Sequence, residues 1–402
     1  MTPEIKQRIE QIRRGEVPER YVKTALGLAP ANWKRYTFGD IYTERKEPGD
    51  ENLPLLMVSI HSGVSDGEVD AAELPKQVKR IEDKSQYKKA VSGDLVFNMM
   101  RAWQGAIGTV RTTGMVSPAY IVAEPNDKVN PLFMDYYSRT PQMINQIGRQ
   151  SYGVTDFRKR LYWDSFAPIS CTLPPIEEQQ KIAAILTTQD RVIELKGKRL
   201  AEKQRQNKYL MQQLLTGKKR LPGFAFEVEK TNIKAISTYS VSTISQTTLE
   251  SYEGKQLYPV FNANSIAGHV DFYENECPYI SIIKDGAGIG RVRLCEAKSS
   301  TIGTMGCIHA RKGISIIFLY YLLEQVDFNK YSNGSTIPHL YYKDYSCEKV
   351  RIPDIKEQAA IAEVLSTADR EIELLQQDIE QEKQKKKALM QLLLTGIVRV
   401  KT

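Results

Sequence analysis

No apolar run in this 402-residue chain approaches the length that crosses a bilayer, although 41% of its residues are hydrophobic. Residues 1–15 are polar and charged and lack the apolar core of a secretory leader. These absences point to a cytoplasmic protein with no membrane partner. Cysteine is scarce, at Cys171, Cys277, Cys295, Cys307 and Cys347. An odd number without a Cys-x-x-Cys pair argues against both a disulfide framework and a structural zinc site. Histidine is scarcer. His61, His269, His309 and His339 have no metal-like spacing, so no metal ligand is assigned.

Catalytic signatures are missing too. No G-x-x-x-x-G-K-[ST] loop is present to cradle nucleotide phosphates. Neither Asn-Pro-Pro-Tyr nor Asp-Pro-Pro-Tyr, the signatures of an amino-methyltransferase, occurs. Gly286-Ala-Gly-Ile-Gly290 has the wrong spacing for a dinucleotide loop and precedes a strand-like segment, so a turn between strands is the better reading. No catalytic residue is assigned, and the chain is expected to bind no cofactor.

What the chain does have is a long repeat. Leu173-Pro-Pro-Ile-Glu-Glu-Gln179 returns as Ile352-Pro-Asp-Ile-Lys-Glu-Gln358, and Leu210-Met-Gln-Gln-Leu-Leu-Thr-Gly217 as Leu389-Met-Gln-Leu-Leu-Leu-Thr-Gly396. The register holds without a gap, at an offset of 179 positions, which marks two copies of one rigid element. A seven-residue stripe runs Leu186, Ile193, Leu200, Asn207, Leu214 in one copy and Leu365, Ile372, Ile379, Lys386, Leu393 in the other. With companion positions Ile182, Gln189, Lys196, Lys203, Leu210 and Ile361, Ala368, Leu375, Glu382, Leu389, the spacing is that of a heptad seam. The packing is assigned to Leu186, Ile193, Leu200 and Leu214 against Leu365, Ile372, Ile379 and Leu393. Asn207 and Lys386 read as register devices or packing defects. Pro174 and Pro353 precede the helices, acidic residues open them, and Gly217 and Gly396 close them. A helix of about 37 residues is roughly 55 Å long, the length of a spacer rather than of a core helix.

Ahead of each helix lies a longer, less similar stretch. Segments at 55–60, 94–98 and 120–123, and at 279–283 and 291–294, alternate like strands between Gly-rich turns. The stretch from Ser92 to Val110 resembles that from Tyr279 to Val292, each followed by a Gly-rich turn and strand (Gly114-Met-Val-Ser-Pro; Gly303-Thr-Met-Gly-Cys). Ser151-Tyr-Gly-Val-Thr155 parallels Ser332-Asn-Gly-Ser-Thr336, and Leu161 then matches Leu340. The fold class is therefore α+β: two mixed α/β domains separated by two long coiled-coil helices, in a pseudo-two-fold repeat. The expected boundaries are a helical segment 1–30, a first domain 31–173, a helix 174–217, a second domain 218–351, and a helix with its tail 352–402. The net charge of +8 suits a polyanionic partner. Nine Lys or Arg residues against one acid, Glu202, lie between Lys196 and Arg220, a bias that could equally face an acidic protein.

The repeated Leu-Pro-Pro-Ile-Glu-Glu-Gln and Leu-Leu-Thr-Gly motifs, with Ile283-Lys-Asp-Gly-Ala-Gly-Ile-Gly-Arg-Val292 and Gly334-Ser-Thr-Ile-Pro-His-Leu340, resemble those of specificity subunits of Type I restriction-modification systems. The resemblance spans nearly the whole chain; Gly153-Val-Thr-Asp-Phe157 departs from it, and Met1–Pro30 is longer than the family pattern requires. It implies a non-catalytic DNA reader. Each target recognition domain would read half of a split, asymmetric duplex target, while the helices set the gap and dock two methyltransferase (M) subunits. S-adenosylmethionine, ATP and Mg would then belong to the M and restriction (R) subunits. DNA contacts are expected from Arg101, Gln104, Tyr152, Thr155, Arg158 and Lys159 in the first domain. In the second they are expected from Lys284, Asp285, Arg291, Asn333, Ser335, Thr336, His339 and Lys343; Trp103 is as suited to a core as to DNA. Two other classes remain: a coiled-coil scaffold with two protein-binding modules and no DNA role, and the specificity subunit of a methylation-only defence complex.

Overall fold

The computed structural model describes residues 3–24, 27–50, 52–65, 86–153, 155, 159–224, 229–334 and 337–400. Both repeats are single helices of 40 residues, Ile176–Leu215 and Ile355–Leu394. Their ends follow from the residues placed there. The Pro175 carbonyl accepts from the Glu178 and Gln179 amides, and the Asp354 side chain accepts from those of Lys356 and Glu357. At the far ends Gly217 (φ 68°) and Gly396 (φ 71°) take the left-handed conformation that lets the chain turn back on the last carbonyls. Lys219 N–H then reaches Gln213 O at 3.0 Å, and Val398 N–H reaches Leu392 O at 3.0 Å.

The chain divides into two compact units, Met1–Leu195 with Glu380–Thr402 and Lys196–Ile379, each taking half of each long helix. Within either unit the helix segments run antiparallel. In the second, Lys196, Lys203 and Asn207 face Asp378, Glu371 and Asp369 at 2.8, 2.8 and 2.7 Å. In the first, Gln189 meets Glu382 at 2.6 Å and Lys386 meets Asp190 at 2.5 Å. The heptad seam is buried towards the outer turns, at Leu186, Leu214, Leu365 and Leu393, and at Ile379; Ile193, Leu200 and Ile372 are half-buried. Exposed ion pairs add little stability each, so the polar middle specifies which residues face one another more than it strengthens the pair. Asn207 and Lys386 occupy equivalent positions and each bonds the aspartate of its partner segment. That aspartate also accepts from a domain tyrosine, Tyr136 to Asp190 at 2.7 Å and Tyr321 to Asp369 at 2.6 Å. Burial, with help from the carboxylate, pushes the Tyr136 phenol up to about 12, so it stays a neutral donor.

The globular parts share one topology. In the first, strands Tyr42–Arg45, Tyr120–Pro125, Leu95–Asn98 and Ile107–Thr109 lie side by side in that order, all antiparallel. In the second the order is Ser237–Val241, Met305–Ala310, Tyr279–Ile283 and Val292–Cys295, also antiparallel. Entry and exit strands pair in both, Lys34–Thr37 with Ser170–Leu173 and Glu229–Asn232 with Lys349–Ile352. One expected correspondence is off by a strand. Gly114–Val116 pairs with Lys88–Ala90 outside the sheet, whereas Gly303 leads into Met305–Ala310, the counterpart of Tyr120–Pro125. A Gly-rich turn precedes both strands, and local sequence cannot tell which pairing follows. Within residues 1–30 the helix covers Pro3–Arg13, followed by a hairpin of Tyr21–Thr24 and Gly27–Pro30.

Each core draws in the start of one long helix and the end of the other. Phe38, Phe97, Phe133 and Phe166 pack with Ile182, Leu186, Leu393 and Leu394; Ile280, Phe318 and Tyr345 pack with Met211, Leu215, Ile361 and Leu365. A reciprocal ion pair locks each arrangement. Glu178, fully buried, accepts two bonds of 2.7 Å from Arg399 and one of 3.3 Å from the Trp33 indole. Glu357, 1% exposed, is held the same way by Arg220. The neighbouring glutamines bind the domains. Gln179 accepts from the Asn130 amide and Gln358 from the Ser315 amide, the N-cap residues of the helices that carry Tyr136 and Tyr321.

Arg399→Ala would strand a buried carboxylate and is expected to lower the stability of the first unit by about 3 kcal/mol. Urea denaturation of the full chain measures this; a loss below about 0.5 kcal/mol would show that the pair is not the lock.

Candidate nucleic-acid interface

The two loops singled out in each domain are joined by an equivalent backbone bond. Leu161 N–H donates to Met99 O at 2.9 Å, and Leu340 N–H to Lys284 O at 2.8 Å. In the late segments Tyr152 pairs antiparallel with Arg160, and Asn333 with His339.

In the first domain the Gly-rich loop makes a short turn at Ala102–Gln104, ended by Gly105 at φ 102°. Arg101 and Gln104 lie exposed on it. Trp103 is half-buried, packs against the core and donates its indole N–H to Met100 O at 3.1 Å. The Lys159 ammonium sits 5.2 Å above that ring, so Lys159 joins the two loops from the outside. Tyr152 is 62% exposed, Thr155 is exposed, and Arg158 lies outside the described residues.

The second domain has a tighter cluster. Asp285 accepts from His339 Nδ1 at 2.7 Å and also pairs with Lys284 Nζ. Partial burial raises the Asp285 carboxyl, but the bonds from Lys284 and His339 outweigh it and hold its pKa below the ordinary value. The carboxylate therefore stays charged at neutral pH. Lys343 lies 5.5 Å over the Tyr341 ring. Arg291 donates to Ala263 O and Asn264 Oδ1, both at 3.0 Å, and Arg293 to Asn264 O at 2.8 Å. Asn333 is spent locally on Tyr331 O and Asp344. Ser335 and Thr336 lie outside the described residues. The Gly286–Gly290 stretch is a turn leading into strand Val292–Cys295; Gly290 adopts φ 81° with Phe328 where a Cβ would stand.

The loops thus gather Arg101, Gln104, Tyr152 and Lys159 in one domain and Lys284, Asp285, His339 and Lys343 in the other, and tie Arg291 to the 262–265 turn. Sequence reasoning passed over Arg293, Asn264 and Arg160. The match of Leu161 with Leu340 was the available signal for Arg160, because it sets Arg160 opposite His339. The basic run is less free than its composition suggests. Lys196, Arg199, Lys203 and Arg220 are paired with acids of the second helix. Among the described residues no three His, Cys, Asp or Glu side chains gather to hold a metal, and no helix is long and apolar enough to cross a membrane.

The chain matches the family described as Type I restriction modification DNA specificity domain twice, over residues 66–205 and 206–384. It is 23% identical to the type I restriction enzyme MjaVIII specificity subunit of Methanocaldococcus jannaschii, over 79% of this chain and 83% of that one. Its fold is similar to that of the Type-I restriction-modification S subunit from M. genitalium, with TM-score 0.59, 14% identity, and 92% and 97% of the two chains covered. A second solved chain, from work on complex assembly and conformational transition of the type I R-M system, gives TM-score 0.55 at 16% identity, over 92% and 99% of the chains.

Asp285→Asn removes the charge that ties Lys284 to His339. Hydrogen exchange at the Gly286 and Leu340 amides, which bond Pro338 O and Lys284 O, is expected to quicken by about tenfold, with Ile280–Ile282 unchanged. Unchanged exchange at both amides would mean that the backbone alone holds the loops.

Proposed function

The chain belongs to the Type I restriction-modification DNA specificity family, and from that premise we propose that each of its domains reads one half of a bipartite, asymmetric duplex target. The observation that carries this reading is the duplicated topology with divergent loops: one scaffold presented twice, with Trp103 and Lys159 at one loop junction and Lys284, Asp285 and His339 at the other. Specificity to base edges needs defined donors and acceptors on loops held by a rigid sheet, while affinity comes from cations near phosphates. Both kinds of group stand at these junctions.

The paired helices act as the spacer that sets the unread gap, and their outward faces dock two M subunits. R subunits join that assembly. Catalysis resides in those partners, which supply S-adenosylmethionine, ATP and Mg; this chain contributes sequence choice and no active site. The cytoplasm, where DNA and those cofactors meet, is the place of action. A scaffold without a DNA role would have no use for two divergent polar loop clusters on one topology. The methylation-only reading differs only in lacking R subunits.

The test is genome-wide adenine methylation in a host without other methyltransferases, expressing this chain with an M subunit that forms a complex with it. The expected result is a split, asymmetric methylated motif that disappears when this chain is omitted. A complex of the two proteins that leaves no such motif would contradict the reading.

A further inference from the structure

Tyr162 and Tyr341 occupy the same place in the two domains. Each follows the buried leucine, Leu161 or Leu340, whose amide joins the two loops, and each precedes a short helix, Trp163–Phe166 or Tyr342–Tyr345. The two residues are 53% and 50% exposed. Neither caps its helix through the side chain, and neither hydroxyl bonds to another described residue. The Tyr341 ring meets His339, with centroids 6.4 Å apart, and Lys343, yet both hydroxyls are left without a bond to a described residue, and the domains carry the tyrosine in both copies although the surrounding loops differ. At the neighbouring paired positions the residues do differ: Tyr152 against Asn333, and Arg160 against His339.

Given the DNA-reading function on which this inference rests, the two patterns have different meanings. The half-sites of an asymmetric target differ in base sequence; what they share throughout is the sugar–phosphate backbone. A side chain that is identical at equivalent places cannot discriminate between them, whereas one that differs can. We propose that Tyr162 and Tyr341 are backbone-contacting positioning residues, each laying its ring on deoxyribose and donating its hydroxyl to a phosphate oxygen. Base choice then falls to the unlike pair, Arg160 and His339. Arg160 donates Nη1 to Lys159 O at 3.0 Å and keeps its other guanidinium N–H groups for an acceptor such as guanine O6 or N7. His339, its Nδ1 turned to Asp285, offers only Nε2. Phosphate contacts fix register and carry no sequence information, so the tyrosines set how each loop cluster sits in its groove.

The test uses the full chain in complex with its M subunit. Affinity is measured for a target duplex and a scrambled duplex, and the methylated motif is mapped, for wild type and for Tyr162→Phe, Tyr341→Phe and the corresponding alanine variants. Each phenylalanine variant is expected to weaken binding to both duplexes by the same factor, about three- to tenfold, with the motif unchanged. Arg160→Ala or His339→Ala is expected to relax one position in one half-site only. A tyrosine variant that relaxes a base position, or alanine variants that bind both duplexes like wild type, would overturn the assignment. The wild-type motif is scored in the same experiment, so failure of DNA reading itself shows as a missing wild-type motif.

Discussion

Two carboxylates that cannot reach water organise this chain. Glu178 and Glu357 open the two long helices at positions buried to 1% exposure or less, and a lone buried charge costs several kcal/mol. The cation that satisfies each comes from three residues beyond the glycine that ends the other helix, Arg399 for Glu178 and Arg220 for Glu357. The start of one repeat is therefore stable only with the end of the other beside it, which requires the segments to run antiparallel. Gln179 and Gln358, next in the chain, pass this constraint on to the domains by accepting from the N-cap amides of the helices that carry Tyr136 and Tyr321. Those tyrosines bond Asp190 and Asp369, which in turn receive Lys386 and Asn207. One line of hydrogen bonds, built twice, runs from helix terminus to domain to helix middle.

This explains why the repeats are alike and the domains are not. Every residue of the line except the Asn207–Lys386 position and the N-cap residues keeps its type between copies, because its partner is fixed by geometry. The loops at 99–105 and 284–291 stand outside this line. They rest on a four-stranded sheet whose order is the same in both domains, and their side chains can change without disturbing it. Rigid support with replaceable contacts is what a family of readers with different targets needs.

Much of this was legible in the chain itself, for identifiable reasons. The helices announced themselves through an unbroken repeat, proline before and glycine after, and their ends fell where those residues stood. The strands at 95–98, 120–125 and 279–283 were readable because buried sheet strands are short apolar runs. Helix direction was not readable, since a heptad seam fits parallel and antiparallel partners alike. Nor was the lock, because Arg220 and Arg399 lie past the glycines where the conspicuous similarity stops. The strand mismatch at Gly114 arose because turns look alike whatever strand they feed. At the interface, sequence found the loops from their glycines. It could not foresee that Asn333 and Arg291 are held by neighbouring groups, that Trp103 packs under Lys159, or that Tyr162 and Tyr341 stand exposed, because each depends on which loop lies beside which.

The claim that joins these parts is that the antiparallel helices are the ruler between two readers. Removing residues 194–200 together with their facing residues 374–380 takes two turns from both helices and leaves the locks, cores and loops in place. Mapping the methylated motif of that variant measures the ruler directly. The account predicts both half-sites unchanged and a gap shorter by about three base pairs, the DNA length that matches roughly 10 Å of helix. An unchanged gap in a variant that still methylates would contradict it.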